Sequence, residues 1–142
     1  MDPRLPTAEE INVFDSLDER WALKNFLGKD LEQAQALFRE NSLHYLDDLM
    51  HMGPVAFRFY VPAAIAYLLS QDAAYDESGI SSFCGIIEFR LDHHPASIAP
   101  VASILREGIL GILKDCDRYV DHILYYDDLT GRCRALLSRL GP

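Results

Sequence analysis

The chain has 142 residues, 49% of them hydrophobic and 25% charged, with 22 acidic against 13 basic side chains and a formal net charge of −9. That length suits one domain, and so much apolar material argues against a disordered chain. The charge argues against a nucleic-acid reader, which needs clustered lysine and arginine for phosphates, and favours a basic protein partner.

Thr7-Ala8-Glu9-Glu10 reads as a capping box that opens the first helix. Ile11, Phe14, Leu17 and Trp21 recur at helical spacing, followed by Leu23, Phe26 and Leu27, so one helix is expected up to Gly28, with Trp21 in the core. Asp30 and Gln33 form a second box, and Leu31, Ala34, Leu37 and Phe38 make the stripe behind it. Ser42 is placed to cap a third segment with Leu43, Leu46, Leu49 and Met50 inward, ended by Gly53-Pro54.

From Pro54 to Pro62 the pattern predicts one or two helical turns, a break at Val61, then a helix from Pro62 to Leu69. Phe57, Phe59, Tyr60 and Tyr67 supply core area, and Arg58 between aromatics is placed to stack or to pair with a carboxylate. Gln71 to Gly79 reads as a polar loop, and a helix is expected from about Ser81 to Leu91, terminated by His93-His94-Pro95. A long helix from Ser97 or Pro100 to about Tyr119 turns Val101, Ile104, Leu105, Ile109, Ile112 and Leu113 inward, with Gly108 and Gly111 permitting close helix packing. A last short helix carries Leu129, Cys133, Leu136, Leu137 and Leu140. The expectation is an all-α fold: a single compact bundle of about seven helices over residues 1–142.

Cys84, Cys116 and Cys133 are odd in number and lack a CxxC spacing, which speaks against a zinc knuckle or disulfide framework. Cys84 lies in an apolar run and reads as a core residue. No apolar stretch follows Met1-Asp2-Pro3-Arg4, and the run from Val61 to Leu69 is too short to cross a bilayer, so a cytoplasmic protein without membrane contact is expected.

Three clusters could carry chemistry. His44, Asp48 and His51 fall on one helix face, and two imidazoles with a carboxylate suit a transition metal, though the glutamate of a zinc-protease helix is missing. His93 and His94 complement a helix C-terminus. Asp115, Asp117, Asp121, Asp127 and Asp128 interleave with Tyr119, Tyr125 and Tyr126 without the frame of a calcium loop. Acids mixed with tyrosines make a protein-binding face, because aromatics anchor and charge steers. Asp72, Tyr75, Asp76 and Glu77 form a second such patch. No nucleophile elbow or phosphate-binding glycine loop occurs, and no cofactor is expected.

The block Pro54-Val55-Ala56-Phe57-Arg58-Phe59-Tyr60-Val61-Pro62-Ala63, with Phe26-Leu27-Gly28-Lys29 upstream, resembles one in a family of small, uncharacterised helical bacterial proteins. In size and charge the chain is also similar to immunity proteins, which neutralise a toxin by covering its active site. These likenesses imply a helical, non-enzymatic binding protein whose partner is a basic toxin. The face expected to bind is Asp117, Tyr119, Asp121, Tyr125, Tyr126, Asp127 and Asp128. The alternatives are a metal-dependent enzyme using His44, Asp48 and His51, and a homo-oligomeric accessory protein.

Overall fold

In the computed structural model, which describes residues 4–120 and 129–141, helices begin where a side-chain oxygen meets a free amide one turn on. Thr7 with Glu10 opens α1 (Ala8–Ile11), Ser16 with Glu19 opens α2 (Leu17–Phe26), and Asp30 with Gln33 opens α3 (Leu31–Glu40). Asn41 caps α4 (Ser42–His51), Pro54 starts α5 (Pro54–Leu68), and Asp76 caps α6 (Glu77–His93). Then come α7 (Pro95–Ile98), α8 (Ala102–Lys114) and α9 (Leu129–Leu140), with 3-10 turns at Gln71–Ala73, Ala99–Val101 and Cys116–Tyr119. The fold is all-α.

Five boundaries differ from the sequence expectation. The first helix is two: it stops at Ile11, and a turn through Asp15, at φ +57°, precedes α2. Asn41, not Ser42, supplies the α4 cap, while the Ser42 hydroxyl donates to Asp76. α5 runs through Pro62 without a break. Proline costs a helix interior about 3 kcal/mol, but α5 is the central element, packed by α1, α3, α4, α7 and α8. Tyr60, Val61, Ile65 and Leu68 are all buried on it, and each large side chain contributes roughly 1.5–3 kcal/mol. Finally, α6 begins at Glu77, and the helix expected to reach Tyr119 stops at Lys114.

Gly108 and Gly111 bring α8 against α5: a Cβ at Gly108 would lie 3.0 Å from Ile65, and one at Gly111 2.9 Å from Leu69. The stretch Pro95–Lys114 has the length and mean hydropathy (1.5) of a membrane span. Its inward residues Leu105, Ile109 and Ile112 belong to the core, whereas Ile104, expected inside, is exposed. Leu129, Cys133 and Leu136 of α9 close the far side. Cys133 hydrogen-bonds Cys84 there, both fully buried, while Cys116 is half-buried. A thiol reagent should therefore modify native protein first at Cys116; equal rates at all three would mean that α9 readily leaves α6.

Helix C-termini are finished from a distance. The Tyr60 hydroxyl lies 2.8 Å from the carbonyl oxygens of Phe26 and Lys29, at the end of α2. Arg90 of α6 reaches the end of α4, and Arg118 the end of α5, where it donates to Leu68 and Ser70. Arg106 donates to Leu137 in the last turn of α9 and to Gly141 just beyond it. Each places a donor on carbonyls that have no intrahelical partner.

Gly53 is where α1 meets the start of α5. Its amide donates to Ile11, and a Cβ there would lie 2.3 Å from the Glu10 carbonyl oxygen and 2.5 Å from Val13. Backbone cannot yield cheaply, so Gly53→Ala should cost about 1–3 kcal/mol and displace the turn after α1. Urea unfolding checks the first effect. A variant as stable as the parent would show that this approach is slack.

Candidate functional site

The turn between α1 and α2 is built by polar groups for an apolar display. The Glu19 carboxylate accepts hydrogen bonds from the amides of Val13 (2.8 Å), Phe14 (3.0 Å) and Ser16 (3.1 Å), and from the Ser16 hydroxyl (2.7 Å). Burial opposes its ionisation, but the Ser16 hydroxyl and the three amides outweigh burial and hold its pKa below the usual glutamate value. Asp15 is clamped by both ends of the Arg20 guanidinium at 2.9 Å and by Asn12 at 3.2 Å. A left-handed, non-glycine residue costs energy that the surroundings must supply.

What this framework carries is exposed apolar surface. Phe14 is 83% exposed, Leu17 69%, Trp21 50% and Val13 45%; Leu43, across on α4, is 50% exposed. Leu17 and Trp21 stand one turn apart on α2. Trp21, expected in the core, lines a cleft of about 410 Å³ with Asp18 from α2 and Leu43, His44, Asp47 and Asp48 from α4. The Lys24 ammonium lies over the indole, 4.9 Å from its centre.

Of the three residues expected to hold a metal, the structure keeps one. Asp48 is buried and accepts from Asn25 at 2.7 Å; burial raises its pKa against that hydrogen bond. His44 packs edge-on against Tyr45, with ring centres 4.8 Å apart. His51 instead meets Asp18 and Asp47, and the three ligand atoms lie within 4.8 Å of one another. Its Nδ1 is 2.8 Å from the Asp47 carbonyl oxygen. A carbonyl only accepts, so Nδ1 carries a proton, and Nε2 lies 3.5 Å from the Asp18 carboxylate.

The acidic tyrosine face fares differently. Tyr119 is fully buried, its hydroxyl donating to Leu68 at 2.7 Å and its ring under the Arg118 guanidinium, so it belongs to the core and offers no contact to a partner. Asp117 is exposed on the 3-10 turn. Asp121, Tyr125, Tyr126, Asp127 and Asp128 lie outside the described residues. In the other patch, Tyr75 is exposed, but Asp76 is occupied by Ser42, Tyr67 and the Gly79 amide.

Sequence reasoning missed Phe14, Leu17, Trp21 and Leu43 because their spacing matches a core stripe. One signal was present: Ser16-Leu17-Asp18-Glu19 is itself a capping box, which restarts the helix and turns the earlier residues away. The chain matches no protein-family model, no curated protein and no solved structure.

Glu19 carries a pH signature. Its depressed pKa means that its stabilisation is present above the unfolded value near 4.3 and is lost as pH falls through the folded value. The stability gap between the parent and Glu19→Gln should therefore shrink as pH drops from 5 toward 3. A gap that stays constant would remove Glu19 as the anchor of this turn.

Proposed function

We propose that this chain is a non-enzymatic protein-binding module whose contact face is the α1–α2 turn together with the exposed sides of α2 and α4. One observation carries this: a set of polar bonds holds Phe14 out in solvent beside Leu17, Trp21 and Leu43. Exposed aromatics with aliphatic neighbours are the usual anchors of interfaces, and an isolated patch of this kind costs solubility unless it is used. Asp18 and Asp47 flank it, and the whole chain is acidic, so a basic partner gains rate from charge and affinity from the anchors. A toxin with a basic active-site cleft has that chemistry, and docking there would neutralise it by occlusion. Metal-dependent chemistry has less support, since the ligands that come together, Asp18, Asp47 and His51, sit at the surface.

The test pairs the parent with Phe14→Ser/Trp21→Ser in extract of the native host. The expected result is a basic protein held by the parent and lost by the variant, which then binds purified parent saturably. Saturable binding that ignores both changes would move the face elsewhere, and turnover of a small molecule by pure protein would overturn the non-enzymatic reading.

A further inference from the structure

Resting on that binding face, we infer that the cleft between α2 and α4 receives an arginine side chain of the partner. Its walls supply what a guanidinium needs. Asp18 and Asp47 offer carboxylates from two helices, and the His51 imidazole meets them at 3.5 and 3.7 Å. Trp21 and Leu43 line the cleft, the first with an aromatic ring and the second with apolar surface for the aliphatic stem. The cleft volume of about 410 Å³ admits a side chain of that size.

The indole already takes a cation, since Lys24 sits over it. Guanidinium on an aromatic ring also recurs inside this fold: Arg90 lies 3.9 Å from the centre of Phe57, and Arg118 lies 4.3 Å from that of Tyr119. A planar, weakly hydrated guanidinium stacks on an indole while its edge pairs with carboxylates; an ammonium is a point charge and does only one of these well.

Trp21 is the single tryptophan, so its emission reads this cleft directly. The probe is the blocked peptide acetyl-Gly-Arg-Gly-amide, with the lysine analogue beside it. A saturable change in emission is expected, with affinity roughly threefold or more below this for the lysine peptide. The change should vanish in Asp18→Asn/Asp47→Asn and persist in Asp117→Asn, with circular dichroism confirming that each variant is folded. Equal responses to both peptides, or none, would overturn the inference. So would zinc or manganese ions that bind stoichiometrically and exclude the peptide. A protein partner that needs Phe14 and Trp21 while the arginine peptide fails would sink this inference alone. Arginine binding without any protein that depends on the face would sink the proposed function instead.

Discussion

Arg90→Ala should lower the unfolding free energy by about 3–4 kcal/mol, the largest stability effect expected of a single substitution here. Arg90 is 4% exposed, yet among the described residues no carboxylate forms an ion pair with it. Instead Nη2 donates to the carbonyl oxygens of Met52 (2.7 Å) and Met50 (3.0 Å), and the guanidinium lies over the Phe57 ring, 3.9 Å from its centre. Those carbonyls end α4, where the helix dipole is negative, so the cation faces partial charges in place of a full one. Burial pulls its pKa down to about 10, which still leaves it charged at neutral pH. Alanine would leave two carbonyls unpaired and a hole beside Phe57. Arg90→Met, which fills the hole without a donor, should lose about 2 kcal/mol and so separates the two costs. Urea unfolding measures both; an alanine variant within about 1 kcal/mol of the parent would show that the carbonyls are content with water.

The second large effect is on binding. Phe14→Ser/Trp21→Ser should weaken partner affinity by a hundredfold or more, since each anchor of this type contributes about 2 kcal/mol or above. The same change should leave stability within about 0.5 kcal/mol, because both side chains are exposed in the free protein. Reversing Asp18 and Asp47 to lysine acts on both rates: association slows by about tenfold and loses most of its salt dependence, and dissociation quickens because the partner's arginine loses its carboxylates. Surface plasmon resonance at two salt concentrations reads affinity and both rates, and urea unfolding reads stability. Loss of stability in step with loss of affinity would mean that Phe14 and Trp21 support the fold.

The capping boxes at Thr7 and Asp30, the glycines of α8 and the core stripes of α3, α9 and, Ile104 apart, α8 were legible, because each rests on residues within two turns of one another. The binding face was not. Phe14, Leu17 and Trp21 keep the period of a buried stripe, and periodicity alone cannot tell which way a stripe faces once Asp15 breaks the helix. Nor could spacing announce the cleft, where Asp18 of α2 meets α4 residues about 25–30 positions further along the chain. His44, Asp48 and His51 do share a helix, but the neighbours α2 brings decide their use: Asn25 takes Asp48, and Asp18 takes His51.

By itself the sequence determined where helices start. A free amide needs a partner, and an oxygen one turn away in the chain is present whatever else folds. Only the tertiary structure decided how they end and which apolar residues stay outside. The carbonyls of α2, α4, α5 and α9 wait for Tyr60, Arg90, Arg118 and Arg106, each more than thirty residues distant. Such a bond forms only after the core has brought the two segments together, because the loop between them must first lose its freedom.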